Sequence, residues 1–83
     1  MKKPKLVYTA VYTEFKDGNI VNTFVNVFKR LAHARGYLIG RFEDLMNDVA
    51  FDEGMRDTKS DTFNAKYTDG RAFKGMITFG EIL

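Results

Sequence analysis

The chain has 83 residues, of which 45% are hydrophobic and 29% charged, and its formal net charge is +2. These values are ordinary for a folded protein and argue against disorder, and the length predicts one domain over residues 1–83. The chain has no cysteine, which excludes disulfides and cysteine-based metal sites and removes the usual sign of secretion. No apolar run reaches the roughly 18 residues of a membrane span, and the N-terminal residues do not resemble a signal peptide. We therefore expect a cytoplasmic protein that does not cross a membrane.

The charges are unevenly distributed along the chain. Residues 1–41 carry eight basic and two acidic groups, a net charge of +6, whereas residues 42–61 carry seven acidic and two basic groups, a net charge of −5. The near-neutral total therefore hides two oppositely charged segments. The simpler interpretation is that the segments neutralise each other on the folded surface. The alternative is that each segment meets a different partner.

The N-terminal part of the chain favours a β-strand. Residues 5–15 are rich in Val, Tyr, Thr and Phe, which pack well on a pleated sheet, and neither alternating face is clearly polar. The next residues include Asp17-Gly18, a pair that is typical of tight turns. We therefore expect a strand over 5–15 that ends at this turn.

The following segment gives conflicting signals. Residues 20–28 are full of β-branched and aromatic side chains, but the polar residues recur at steps of three and four, as on one side of a helix. We predict an amphipathic helix over 20–35 that ends at Gly36. The alternative is a strand over 20–28, which would place Asn22 and Asn26 beside two phenylalanines on one face.

The second half of the chain predicts a helix, a loop and a hairpin. Apolar and acidic residues segregate to opposite sides of a second helix over about 41–52. Residues 53–61 are polar and predict a surface loop, and two alternating strands then flank the turn at Asp69-Gly70. The side chains expected in the core are Phe24, Phe28, Phe42, Phe63, Phe73 and Phe79.

These elements predict an α+β domain with the order strand-helix-helix-strand-strand. The simplest packing is a three-stranded antiparallel sheet with a helical hairpin on one face. If residues 20–28 form a strand instead, the order becomes ββαββ.

No catalytic, metal or cofactor site is predicted. His33 is the only histidine and lies among basic residues without an acidic residue to orient it, and the only serine, Ser60, lies in the polar loop. A loose magnesium site among Asp52, Asp57 and Asp61 is the one metal alternative, and almost any acidic loop would satisfy its requirements. We expect no catalytic residue, no metal and no cofactor.

Acidic residues of the second predicted helix form the first candidate binding face. Asp44, Asp48 and Asp52 are four residues apart and would stack along one helix edge, where each like-charged pair costs about 0.2–0.5 kcal/mol. Such an edge requires a compensating basic partner, which is either the basic edge of the preceding helix (Lys29, Arg30 and His33) or a basic surface on another protein. The predicted partner-binding residues are Glu43, Asp44, Asp48 and Asp52.

A basic face is the alternative binding surface. It would bind nucleic acid through lysine and arginine contacts to phosphates, with Tyr37 as a stacking group. Its residues are Lys29, Arg30, His33, Arg35, Tyr37 and Arg41.

The sequence therefore predicts a small intracellular, non-enzymatic binding protein. We expect it to inhibit or modulate another protein that presents a basic surface, in the manner of small regulators encoded by phages and mobile elements. A nucleic-acid-binding regulator is the second hypothesis, and an enzyme or enzyme subunit is the third. The pattern indicates no particular oligomeric state.

Overall fold

Five strands and one helix follow one another in the order ββαβββ. A computed structural model describes the backbone of residues 5–82 and the side chains of residues 6–80. The elements are β1 (Lys5–Lys16), β2 (Asn19–Phe28), α1 (Leu31–Met46), β3 (Phe51–Asp57), β4 (Thr62–Tyr67) and β5 (Arg71–Ile82). The predicted three-stranded sheet with a helical hairpin is therefore wrong, because a five-stranded antiparallel sheet carries a single helix.

The first two strands form a hairpin, as the alternative interpretation of residues 20–28 proposed. Asp17 and Gly18 both have positive φ, 52° and 85°, which suits the turn types that match the twist of paired strands. The pairing runs from Lys16–Asn19 to Tyr8–Phe28, with a register shift beside Glu14. The helix predicted over 20–35 is therefore wrong. The β-branched and aromatic composition of this segment was the better guide to its structure than the spacing of its polar residues.

Asn22 and Asn26, which argued against a strand here, are exposed to solvent and form hydrogen bonds. β2 lies at the edge of the sheet and is exposed from Asn19 to Val27, so its polar side chains need not be desolvated. Asn26 donates a hydrogen bond to the Tyr37 hydroxyl over 2.7 Å, and Asn22 donates one to Glu14 Oε1 over 2.9 Å. Polar groups that are satisfied in this way carry little penalty on a sheet face.

The helix lies between the two predicted helices and overlaps both. Gly36, which was expected to end the first helix, lies inside α1, and so does Gly40. Ala34, Leu38 and Phe42 are its buried residues, and their spacing of four places them on one side of a helix. The second helix predicted over 41–52 is wrong because α1 ends at Met46.

The last three strands complete the sheet. Residues 53–61, predicted as a loop, contribute most of the exposed strand β3, which pairs with β4. The hairpin around Asp69-Gly70 is confirmed, and β5 pairs on its other side with β1. The strand order is β2-β1-β5-β4-β3, so α1 crosses the sheet from one edge to the other.

The core lies between α1 and one face of the sheet. Its buried side chains include three of the phenylalanines expected there, Phe42, Phe63 and Phe73, whereas Phe24 and Phe79 are 38% and 75% exposed. The cluster continues through aromatic contacts, such as the 5.4 Å between the ring centroids of Phe42 and Phe63. The buried residues of the cluster are Ala10, Leu38, Phe42, Phe63, Ala65, Tyr67 and Phe73.

The opposite face of the sheet, which we call the open face, carries the alternate residues of each strand. On β1, β2 and β5 these are mostly valine and threonine, and Val25 and Met76 are exposed examples. No element within residues 5–82 covers this face. In the described part of the chain, no helix combines the length and apolar character needed to cross a membrane.

Candidate functional site

The four residues predicted as an acidic binding face lie on three parts of the chain. Glu43 and Asp44 are exposed on α1, Asp48 lies in the turn after the helix, and Asp52 is on β3. Because α1 ends before Asp48, the aspartates do not stack along one helix edge. The geometry expected for this face is therefore wrong, while a role of these carboxylates in binding stays a prediction.

Two of these carboxylates form ion pairs within the domain. Asp44 Oδ2 lies 2.7 Å from Arg41 Nη2, and Asp48 Oδ2 lies 3.1 Å from Arg71 Nη2. The N–H of Ala50 also donates to Asp48 Oδ1 over 2.9 Å, and this bond, together with Arg71, lowers the pKa of Asp48. Asp48 thus fixes the turn between α1 and β3. The compensating cations are Arg41 and Arg71 rather than the Lys29 and Arg30 considered from the sequence.

The predicted basic face is divided between two sides of the helix. Lys29 and Arg30 are exposed in the link before α1, and His33 is exposed in its first turn. Arg35 turns toward the β3–β4 hairpin, whereas Tyr37 packs toward β1 and β2. The structure therefore does not bring the six residues into one surface.

Tyr37 and Arg41 are held within the domain. The Tyr37 ring lies 5.5 Å from that of Phe28 and 6.4 Å from that of Tyr12, measured between centroids. The Arg41 guanidinium lies 5.8 Å from the Tyr37 centroid, and burial raises the pKa of the Tyr12 hydroxyl. These packed rings are poorly placed to stack on a nucleic-acid base.

A groove of about 250 Å³ lies between α1 and the β3–β4 hairpin. Buried Leu38 and Phe63 supply apolar lining, together with the half-buried Ile39 and Ile77. The polar lining residues are Arg35, Arg56, Asp57, Thr58, Asp61 and Thr62. The groove therefore combines an apolar interior with charged groups at its rim.

Arg35 and Asp61 form a fixed pair at this rim. Arg35 Nε lies 2.8 Å from Asp61 Oδ1, and Nη2 lies 3.1 Å from Oδ2, which is the parallel two-bond geometry of a guanidinium with a carboxylate. The hydrogen bonds to Asp61 raise the pKa of Arg35. The pair links α1 to the turn before β4 and leaves the Arg35 guanidinium already engaged.

Arg56 is the second guanidinium of the groove. It lies opposite Phe63 in the β3–β4 register and is exposed, and it forms no ion pair with any residue of the described chain. Its neighbour Asp57 instead accepts hydrogen bonds from the N–H groups of Lys59 (2.9 Å) and Ser60 (3.3 Å), which lower the pKa of Asp57. Arg56 is therefore the cation that the groove offers to a ligand.

The described residues contain no group of three or more His, Cys, Asp or Glu side chains placed to hold a metal ion. Two of the aspartates considered as magnesium ligands already have partners within the chain. Asp57 accepts a hydrogen bond from the Lys59 N–H in its own turn, and Asp61 is paired with Arg35.

Sequence reasoning missed most of this groove. Arg56 and Asp61 were placed in a surface loop, and Ile39 was placed between the two predicted helices. One signal in the sequence was available, because Asp57 begins a polar run that is typical of a turn and could have closed a hairpin. Such a hairpin would have brought Arg56 and Asp61 to the same end of the sheet.

Comparison with known proteins finds no matching family model, no similar curated protein and no similar solved structure.

Proposed function

We propose that this protein is a non-enzymatic cytoplasmic regulator that binds another protein and inhibits or modulates it. The groove between α1 and the β3–β4 hairpin is the proposed recognition site. The observation that carries the proposal is the apolar lining beside Arg56, an exposed guanidinium without an ion pair in the described chain.

The size of the groove favours a peptide segment as its ligand. Its volume of about 250 Å³ is below the roughly 300–1,000 Å³ of small-molecule sites, and suits one or two side chains. The segment would bury a bulky apolar side chain against Leu38, Phe63 and Ile77. Apolar anchors of this kind in fitted pockets supply much of the affinity in protein interfaces.

The charges of the groove define the second feature of the ligand. Arg56 can donate two parallel hydrogen bonds to a carboxylate, which is the strongest recognition that an arginine provides. Arg35 is engaged by Asp61 and serves to hold the rim. We therefore propose a partner segment with one acidic side chain next to one bulky apolar side chain.

The experiment is a selection of displayed random peptides on the folded protein, followed by titration of the enriched sequence. The enriched peptides should contain an acidic residue beside a bulky apolar residue. Arg56→Glu should weaken binding by roughly 10- to 100-fold, because a hydrogen bond to a charged group contributes about 1.5–3 kcal/mol. Lys74→Glu makes the same charge change on the open face and should leave the affinity within about twofold.

Other outcomes would contradict the proposal. Enrichment of basic peptides whose binding is lost in Asp44→Asn or Asp52→Asn would place the site on the acidic residues. Binding of DNA or RNA that weakens steeply with salt would favour the nucleic-acid hypothesis, because phosphate contacts release counterions. Binding that survives Arg56→Glu would exclude the groove as the site.

A further inference from the structure

The strand β2 forms an exposed and uncharged edge of the sheet. It pairs only with β1, and its residues from Asn19 to Val27 are exposed. Residues 19–28 contain no charged residue, no glycine and no proline. An edge strand of this kind presents a row of unpaired backbone N–H and C=O groups that can template a further strand.

The opposite edge carries the protection that β2 lacks. Four of the seven residues of β3 are charged, whereas β2 has no charged residue. Each edge strand has one register shift with its neighbour, beside Glu14 for β2 and between Phe51 and Glu53 for β3. Charged residues are a usual means by which proteins prevent edge-to-edge association, so it is the charges that distinguish the two edges. The charges of β3 therefore oppose pairing with a further strand, whereas β2 carries no charge that would do so.

The charges that flank β2 favour an antiparallel over a parallel arrangement. Lys29 and Arg30 follow its C-terminal end, whereas Lys16 and Asp17, whose charges cancel, precede its N-terminal end. Two copies of β2 placed antiparallel keep the two basic ends apart, because each lies beside the neutral end of the other copy. Between these ends the strand is uncharged, so no like charges face each other.

We propose that β2 pairs antiparallel with β2 of a second copy of this chain. The two five-stranded sheets would then form one continuous sheet around a two-fold axis. The proposal rests on the β2 edge and does not depend on the proposed groove.

The register of this pairing follows from the pleat. Directly opposite residues of an antiparallel pair point to the same face, and side chains alternate along a strand. The two-fold axis keeps each residue and its copy on the same face of the continuous sheet, so opposite residues must be an even number of positions apart. One residue therefore lies opposite its own copy. If Phe24 lies opposite Phe24 of the second copy, most of β2 is paired, since Thr23 then lies opposite Val25 and Asn22 opposite Asn26.

The first test is the mass in solution across a concentration series. The chain has a mass of 9.5 kDa, and sedimentation should show a reversible doubling. A single paired edge gives a small interface of the transient class, so the doubling is expected over roughly 1 µM to 1 mM protein. A mass of one chain throughout that range would overturn the proposal.

Two matched variants separate the two edges. Val25→Lys places a charge on β2 at a position that is 57% exposed, and it should shift the midpoint of association at least tenfold. Met55→Lys makes a similar change on β3 at a position that is 67% exposed, and should leave the association unchanged. Equal effects of the two variants, or none from Val25→Lys, would refute pairing through β2.

Cysteine cross-linking tests the register without background, because the chain contains no cysteine. Opposite residues have Cβ atoms about 4.5–5.5 Å apart, close to the distance that a disulfide requires. Phe24→Cys should form a covalent dimer on mild oxidation, whereas Met55→Cys should not. A mixture of Thr23→Cys and Val25→Cys should cross-link more than either alone. Equal cross-linking by Phe24→Cys and Met55→Cys would indicate random collision and overturn the proposal.

Discussion

Gly75 is the glycine at which an added Cβ atom would come closest to a neighbouring atom, and its replacement by alanine tests the packing of the sheet against α1. It lies on β5, opposite Phe63 of β4 on one side and Tyr12 of β1 on the other. A Cβ atom at this position would lie 2.1 Å from Phe63 Cε2 and 2.6 Å from both Cδ2 and Cζ. These distances are far shorter than van der Waals contact, so the Phe63 ring must move.

The Phe63 ring has little room to do so. Phe63 is only 4% exposed, and its ring packs against Phe42 at a centroid distance of 5.4 Å. Overpacking of a filled core costs about 1–3 kcal/mol. Removal of a strand glycine offsets roughly 0.5–1 kcal/mol of this by reducing the freedom of the unfolded chain. We expect Gly75→Ala to lower the free energy of unfolding by about 1–2 kcal/mol.

Urea denaturation followed by circular dichroism measures this loss. A chain of 83 residues has a total stability of about 4–12 kcal/mol, so the loss is a large fraction of it. With a slope of about 1–2 kcal/mol per molar urea for a domain of this size, the midpoint should fall by roughly 1 M. Gly80→Ala on the same strand is the control, because a Cβ there meets no atom within 4 Å, and it should not lower the midpoint.

A double variant shows whether the clash with Phe63 is the cause. Phe63→Leu shortens the side chain and by itself should cost about 1–2 kcal/mol through lost burial. Combined with Gly75→Ala it should cost at least about 1 kcal/mol less than the two single losses together, because the second change relieves the first. An additive double variant, or a Gly75→Ala protein as stable as the wild type, would refute this account of the packing.

Three further predictions follow from α1 and the turn after it. Gly36→Ala and Gly40→Ala should each stabilise the protein by about 0.5–1 kcal/mol, visible as a rise in Tm of a few degrees, because both glycines lie inside the helix with open space at the Cβ position; a lower Tm would contradict this. The pKa of Asp48 is lowered in the folded state, so its contribution to stability is complete above its unfolded pKa and is lost as the pH falls through the folded value. Arg71 also pairs with Asp69 over 2.7 Å and helps to lower its pKa, so Arg71→Gln should reduce the fall in urea midpoint between about pH 5 and pH 2 through both carboxylates. An unchanged pH profile would show that neither ion pair of Arg71 contributes. His33→Ala should leave the affinity for any selected peptide within a few-fold, and a hundredfold loss in the folded variant would give His33 a role in the site.

The elements that the sequence predicted correctly are those set by local signals. The strand over 5–15 and the last hairpin combine residues that favour strands with turns at Asp17-Gly18 and Asp69-Gly70. In both turns the glycine has positive φ, 85° at Gly18 and 91° at Gly70, which other residues rarely adopt. These features act within a few residues and need no knowledge of the rest of the fold.

The predicted helix positions were wrong because the spacing of polar residues was interpreted without the tertiary context. The polar residues of β2 were taken for the exposed side of a helix, although an edge strand exposes its polar residues equally well. Gly36 was taken as the end of the first helix, but a glycine inside a helix costs only about 1 kcal/mol relative to alanine. Burial of Leu38 and Phe42 against the sheet contributes more than that.

The ion pairs of the site could not be predicted from spacing. Arg35 and Asp61 are 26 positions apart, and Asp48 and Arg71 are 23 positions apart. Each pair depends on where α1 ends and on which strand follows it. A net charge of −5 over residues 42–61 therefore indicated which side chains were available, but not which of them would be neutralised.

The two proposed surfaces lie at opposite ends of the sheet, and this has a consequence for binding. The strand order places the β2 edge four strands away from β3, which borders the groove. A two-fold axis perpendicular to the sheet keeps both helices on the same face, so a dimer through β2 presents two grooves roughly 40 Å apart on that face. A partner with two copies of the recognised segment, joined by a linker of that span, would gain about 10²- to 10⁴-fold in apparent affinity. The edge that joins the copies and the groove that binds the partner would then act together, since Val25→Lys would remove this gain while leaving the affinity for a single peptide unchanged.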